Sequence, residues 1–467
     1  MLFNSFDFLI FIIIVFTIYW LLKDQKVVYQ NTILLISSYV FYGWWDYRFL
    51  VLIFITTVVD FVLGKKIYNE ECQRLRKQYL ITSVLFNIGV LTYFKYANFF
   101  IDSWIDLLQF LGYESIDTFA LNIILPVGIS FYTFQTLSYT IDIYKRKLKP
   151  TNDFIVFASF ISFFPQLVAG PIERARDLLP QLERSRKFNY ENGIGGLQLI
   201  IWGLFKKIVI ADTLAINVND IYLNYDSLNG GDLLLGVIYF SFQIYCDFSG
   251  YSDIAIGVAR IFGIKLSTNF YFPYFSKDIN QFWKRWHISL TSWFRDYLYI
   301  PLGGSRVAKK ILLRNVFIVF IISGLWHGAN WTFVLWGFIH FLFFAIQKYY
   351  FSTKNAFHLS VFSTITAYLA ILIGWTFFRS TDVSQGIYIL KEIVTNISYP
   401  TSRRFNLIFI VILVFLEIKL FCYSKEKNKW DLSFFNHKGL NIATYYFLLI
   451  MLLNASHSNH EFIYFQF

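Results

Sequence analysis

The chain has 467 residues, of which 56% are hydrophobic, 21% aromatic and only 15% charged. A soluble domain is roughly 45–50% apolar and about 25% charged, so this composition argues against a soluble enzyme, a secreted disulfide module and a disordered chain. It fits a polytopic, all-α integral membrane protein. The net charge of +11 then belongs to cytoplasmic loops facing anionic headgroups, and nucleic acid is not an expected partner. Cys72, Cys246 and Cys422 are far apart, and neither a metal site nor a disulfide framework follows from them.

Phe6–Leu22 is apolar, with no base before it and Lys23, Asp24 and Lys26 after it. That predicts a retained first transmembrane helix rather than a cleaved signal peptide. Further apolar runs cover Asn31–Trp45, Phe49–Leu63, Tyr79–Phe94, Phe119–Tyr139, Gly193–Ile210, Leu233–Cys246, Leu313–Leu325, Trp331–Ile346, Ser360–Phe378, Leu407–Cys422 and Leu440–Leu453. They predict about 11 transmembrane helices in one domain spanning 1–467, several shorter than the ~20 residues of a full crossing. Basic loops at Lys23–Lys26, Lys65–Lys77 and Lys145–Lys149 alternate with an acidic loop, Lys95–Asp117, which puts the N-terminus outside. Phe154–Ala169 breaks the alternation, because the basic stretch Arg174–Lys187 follows it. With Pro165, Gly170 and Pro171 interrupting it, the run is expected to be re-entrant, which is tolerated only inside protein or beside a wet cavity.

Two segments carry the candidate chemistry. In Phe270–Arg306, Trp283, Lys284, Arg285, Trp286, His287, Trp293, Arg295 and Asp296 interleave bases and aromatics. The simplest structure is an amphipathic helix at the interface, its tryptophans serving as headgroup anchors, although His287 suits that role poorly. In Ser323–Trp331, His327 ends an apolar run between glycines, with Trp326 before it and Asn330 one turn on. A histidine in such a run is commonly just packed. At membrane depth it is also a functional candidate, since desolvation keeps it neutral, as a general base requires. No Ser or Cys stands near either histidine in a nucleophile-elbow context, so a hydrolase triad is not indicated.

Four stretches, FFPQLVAGPIERARDLLPQL (Phe163–Leu182), QIYCDFSGYSDIAIG (Gln243–Gly257), FWKRWHISLTSWFRDYLYIPLGGSR (Phe282–Arg306) and SGLWHGANWTFVLWG (Ser323–Gly337), together resemble the membrane-bound O-acyltransferase family. The resemblance is to its bacterial branch of alginate and peptidoglycan O-acetylation proteins. It implies a ring of tilted helices around a central funnel, with re-entrant and amphipathic segments, where a cytosolic donor meets an acceptor from the opposite face. It further implies His327 as the catalytic histidine and His287 as its second polar position. Trp283, Arg285, Trp286, Arg295, Trp326 and Asn330 are expected to line the substrate site. Acetyl-CoA enters as donor substrate rather than cofactor, and its phosphates need cations. Lys277, Lys284, Arg306, Lys309, Lys310 and Arg314 bracket the site, although ordinary loop charge accounts for most of them.

The C-terminal stretch 454–467 ends in FIYFQF. It resembles the endings of the polysaccharide-acetylating branch and the tyrosine-bearing tail of a small peptide in teichoic-acid D-alanylation. That resemblance makes Tyr464 a covalent acyl relay, seated by Phe462 and Phe465; without it the strip is an aromatic anchor. His457 and His460 are too few to argue for a metal. The expected product is an O-acetylated cell-envelope polysaccharide. Peptidoglycan is favoured over alginate, because the richness in Phe, Ile, Tyr, Asn and Lys fits an AT-rich genome. The setting is a bacterial cytoplasmic membrane, with a separate extracytoplasmic acetyltransferase as partner. The alternatives are aminoacyl transfer from a carrier protein and polysaccharide transport, the latter disfavoured by the lack of internal repeats.

Overall fold

The computed structural model describes residues 1–113, 121, 123–168, 170–350, 360–400, 403–427, 432, 434–435, 437–455 and 462–463. All regular structure among them is helical. Tyr464, Phe465, His457 and His460 lie outside the described residues. The chain divides into two compact units, one of 1–189 with 262–266 and one of 190–261 with 267–467.

The first unit holds α1 (Phe6–Leu21), α2 (Val27–Asp46), α3 (Arg48–Asn69), α4 (Gln73–Leu91), α5 (Ala97–Phe110), α6 (Ile129–Tyr144), α7 (Phe154–Ser162), α8 (Phe164–Leu167) and α9 (Ala175–Leu182). A π-helical turn at Thr92–Tyr96 joins α4 to α5, so that Gln73–Phe110 is one continuous 38-residue helix. The acidic loop expected from Lys95 is therefore helical up to Phe110. Asp102 and Asp106 sit one turn apart on an exposed face, a like-charge pair that costs the helix only about 0.2–0.5 kcal/mol. Within the run expected from Phe119, residues 123–128 are not helical and the helix starts at Ile129, after Pro126 and a left-handed Gly128 (φ 75°).

Phe154–Leu167 folds as two short pieces. Asp153 caps the first by accepting from the Ile155 and Val156 amides, and extended backbone at Phe163 (ψ 104°) ends it just ahead of Pro165. Neither piece is long enough by itself to cross a membrane. Arg186, read from the sequence as loop charge, is buried instead. Its Nε donates to the Tyr19 hydroxyl (2.6 Å) and its Nη2 to Asn31 Oδ1 (2.7 Å). Buried Asp60 accepts from Ser83 Oγ (2.6 Å) and Asn87 Nδ2 (2.8 Å), fastening α3 to α4.

The second unit holds α10 (Tyr190–Leu204), α11 (Thr213–Leu223), α12 (Gly230–Ile261), α13 (Ile279–Trp283), α14 (Ile288–Phe294), α15 (Lys309–His327), α16 (Trp331–Tyr350), α17 (Ser360–Arg379), α18 (Val383–Thr395), α19 (Leu407–Lys427) and α20 (Lys438–Asn454). A second π-helical segment, Phe205–Asp212, links α10 to α11. α12 is the axis of this unit. It runs 32 residues with 83% of its most apolar window buried in protein, against 17–33% for the other helices of spanning length. The sequence suggested that it stops at Cys246, because Asp247 and Asp253 follow. Both acids are neutralised by α10's extension: Lys207 Nζ lies 2.7 Å from Asp247 and 2.8 Å from Asp212, and Lys206 Nζ lies 2.6 Å from Asp253.

Among the described residues, five helices are long and apolar enough to cross a membrane: Gln73–Phe110, Gly230–Ile261, Lys309–His327, Trp331–Lys348 and Arg403–Ser424. Their outward faces carry exposed Leu85, Phe100, Ile311, Leu342, Ile408, Val411 and Phe415, a surface suited to lipid and not to water. The chain is therefore a multi-pass membrane protein.

α10 meets α12 through glycines spaced seven residues apart on both helices. A Cβ on Gly203 would stand 2.5 Å from the Gly250 carbonyl oxygen, and one on Gly257 would stand 2.6 Å from that of Gly196. Gly203→Val is expected to destabilise the protein by about 3 kcal/mol or more, at the top of the overpacking range, because backbone and not a side chain must yield. Gly89→Ala, whose Cβ meets nothing within 4 Å, should be neutral or slightly stabilising. Thermal unfolding in detergent checks both.

Candidate active site

The segment between α12 and α15 contains no single amphipathic helix. It doubles back instead: the Tyr271 amide donates to the Arg285 carbonyl (2.9 Å) and the Ile288 amide to that of Asn269 (2.8 Å). Two non-glycine residues take left-handed backbone to allow this, Phe272 (φ 46°) and His287 (φ 43°). Such conformations cost on the order of 1–3 kcal/mol each and persist where the surroundings over-determine them. Around His287 the surroundings do so. Asn269 Oδ1 receives the Ser289 amide (3.3 Å), the Ser289 hydroxyl (2.8 Å) and His287 Nδ1 (3.1 Å). Because a backbone N–H donates to that Asn269 atom, it is the amide oxygen. Nδ1 of His287 must then be the protonated nitrogen, leaving the lone pair on Nε2.

Trp286 and His287 are buried, not displayed at an interface. The tryptophans of this segment serve as core. Trp286 packs on Trp375 (4.9 Å between ring centroids), and Trp283 packs on Trp336 (5.5 Å) and His340 (5.0 Å).

His327 is the last residue of α15 and is buried. α15 and α16 are drawn together where the missing side chain of Gly324 leaves room for the Phe333 carbonyl, 2.2 Å from the Cβ that any other residue would carry. The His327 ring lies 5.1 Å from Trp336, 5.3 Å from Phe378 and 5.1 Å from Trp326. Trp326 in turn lies 5.9 Å from His287. The two histidines, 40 residues apart in the chain, thus pack on one indole. The apolar aromatic wall favours the neutral form of the His287 imidazole, and a neutral imidazole suits hydrogen bonding to a hydroxyl.

The other expected site residues divide. Trp283, Trp286 and Trp326 belong to the cluster. Arg285 is half-buried, its guanidinium over the Tyr271 and Phe421 rings and its Nη1 donating to the Phe272 carbonyl (3.4 Å). Arg295 is exposed and paired with Asp296 (2.7 Å). Asn330 caps α16, accepting from the Thr332 amide and donating to the Thr381 carbonyl, both at 3.0 Å. Lys277, Lys284, Arg306, Lys309, Lys310 and Arg314 are exposed. Asn269, Trp336, His340 and Trp375 were not singled out from the sequence. Asn269 could have been noticed as a polar residue between apolar runs, but nothing local ties it to a histidine 18 residues on.

Burial pushes the His287 imidazole down to about 3 from its ordinary 6.5. The unfolded chain then binds a proton below pH 6.5 that the folded chain refuses. This contribution to stability is complete above pH 6.5 and is lost as pH falls toward 3. His287→Asn keeps a residue tolerant of left-handed backbone and removes the titration. The loss of thermal stability between pH 6.5 and 4 should be shallower in the variant than in the wild type.

Residues 149–389 match the family model described as MBOAT, membrane-bound O-acyltransferase, a range that contains both histidines and all four sequence stretches. The chain is 39% identical over 384 residues to the probable alginate O-acetylase of Pseudomonas syringae pv. tomato, covering 82% of this chain and 73% of that protein. It is 35% identical over 390 residues to the peptidoglycan O-acetyltransferase of Helicobacter pylori, covering 77% and 73%. Against the teichoic acid D-alanyltransferase of Bacillus subtilis it is 30% identical over 282 residues, covering 58% and 69%. With the family model covering half the chain and relatives aligned along most of it, the chain belongs to the membrane-bound O-acyltransferase family and is an acyltransferase.

Proposed function

We propose that the chain moves an acetyl group from cytosolic acetyl-CoA across the membrane to O-acetylate a cell-envelope polysaccharide. The observation that carries this reading is the packing of His327 and His287 on Trp326 within one buried aromatic cluster. Family membership makes the reaction an acyl transfer, and relatives named for alginate and for peptidoglycan O-acetylation suggest the acceptor class. Identities of 39% and 35% do not choose between those polymers. Transport without chemistry is set aside by the family. D-alanyl transfer is the second reading, supported by the relative of that name, whose alignment reaches 58% of this chain.

In the proposed reaction, His327 takes the proton of an attacking hydroxyl. The oxygen adds to the thioester carbonyl, the carbon–sulfur bond breaks, and the proton passes to the departing thiolate. His287, its Nδ1 proton held by Asn269, presents the Nε2 lone pair to accept from and orient the attacking hydroxyl. Tyr464 is the proposed hydroxyl. A phenol has a reference pKa of about 10 and needs a base to react at neutral pH. The resulting phenyl ester leaves more readily than an alkyl ester, so onward transfer to a sugar through a separate extracytoplasmic partner runs downhill. The expected setting is the bacterial cytoplasmic membrane, its basic loops inside and its helices arranged around a central funnel.

His327→Ala is expected to lower polymer ester content at least a hundredfold at unchanged protein level, read by base-released acetate from purified peptidoglycan and exopolysaccharide separately. Wild-type ester content in both polymers would remove His327 from the mechanism, and released alanine in place of acetate would favour the second reading. Tyr464→Phe should abolish acylation and an acyl adduct on the C-terminal peptide seen by mass spectrometry. Unchanged acylation would make the tail an anchor.

A further inference from the structure

The C-terminal strip is held inside the second unit at two described residues. Phe462 is fully buried, its ring 4.5 Å from Tyr251 and 5.9 Å from Phe248, and Phe248 stands edge-on to His287 at 4.6 Å. The next residue, Ile463, is 3% exposed and donates its backbone N–H to Asp247 Oδ2 at 2.7 Å. The other oxygen of the same carboxylate lies 2.7 Å from Lys207 Nζ. Asp247 therefore divides its two oxygens between a buried ammonium and the chain's own tail.

We propose that Asp247 is a positioning residue for the acyl-transfer reaction: oriented by Lys207, it seats the C-terminal strip by accepting the Ile463 N–H. Three features favour a seat over incidental packing. The acceptor is a buried carboxyl oxygen whose partner oxygen lies 2.7 Å from the Lys207 ammonium, a charge-assisted arrangement of the stronger kind. Lys207 is itself fixed by Asp212 (2.8 Å), so the carboxylate cannot swing to follow the tail. The seat also engages backbone, which fixes where the chain stands, while Phe462 connects that position through Phe248 to His287. The chain is thereby held one residue ahead of Tyr464. The catalytic consequence rests on the Tyr464 relay, but the seat itself does not.

The test is carboxypeptidase trimming of the purified full-length protein, followed by intact mass, beside polymer acylation in cells. Wild type should resist trimming at Ile463. Asp247→Leu removes the acceptor and should raise the exposed tail fraction roughly ten- to hundredfold, with trimming through Phe462 and at least tenfold less polymer ester. Asp247→Asn keeps a single carbonyl oxygen for which Lys207 and the Ile463 N–H compete, so its protection should fall between those of the wild type and Asp247→Leu. Ile463→Pro removes the donor and leaves the buried charges intact, although it also fixes the local backbone; trimmed with a carboxypeptidase that releases proline, it decides the matter should Asp247→Leu fail to fold, while Ile463→Val, which keeps the N–H, should stay protected. Equal protection in Asp247→Leu and Ile463→Pro, or wild-type acylation from a trimmed and released tail, would overturn the proposal. Tyr464→Phe should leave the tail protected whatever its effect on acylation, so a dispensable phenol would remove the relay without removing the seat.

Discussion

The second unit depends on the near-contact of two backbones. Where Gly196 and Gly203 of α10 meet Gly250 and Gly257 of α12, no side chain separates the helices. In a membrane this matters more than it would in water, because lipid tails are as apolar as leucine and association rests on close packing and polar contacts. The approach leaves the π-helical continuation of α10 alongside α12, and Lys206 and Lys207 then reach Asp253 and Asp247 directly. Each buried charge would be costly alone. Paired, they let a helix with two acids in its second half be the most buried helix of spanning length.

From that axis the candidate site is assembled by aromatic packing. Trp286, Trp375, Trp336 and Trp326 make a connected set of ring contacts in which both histidines are embedded. Aromatic side chains are large and have few rotamers, so they hold a neighbour's position at low entropic cost. His287 is held in a strained conformation by a separate device, the Asn269 carbonyl oxygen that collects three donors. Position comes from the rings and ring orientation from the amide.

How much of this the sequence revealed depends on range. Membrane class, the run of helices and the two histidines were legible, because hydropathy and residue type are local properties. α12 was cut short at Cys246 because Asp247 reads as a boundary until its partner is known, and that partner lies 40 residues upstream. The Phe270–Arg306 segment was misread as an interfacial helix. Interleaved bases and tryptophans are equally compatible with a folded-back loop whose bases face out and whose tryptophans face in, and only the backbone pairing at Tyr271 and Ile288 separates the two. Asn330 looked like a site residue by its proximity to His327, yet its hydrogen bonds are those of a helix cap.

The lysine–aspartate pairing also bears on how the chain is made. A lysine or aspartate at the centre of a nascent hydrophobic segment raises the cost of leaving the translocon for lipid by about 2.5–3.5 kcal/mol. The α10 extension carries two such lysines and α12 two such acids, with α11 between them. Released one at a time, each segment would be a poor substrate for insertion. Inserted together, the two segments would carry those charges into the bilayer as neutralised pairs, the less costly route.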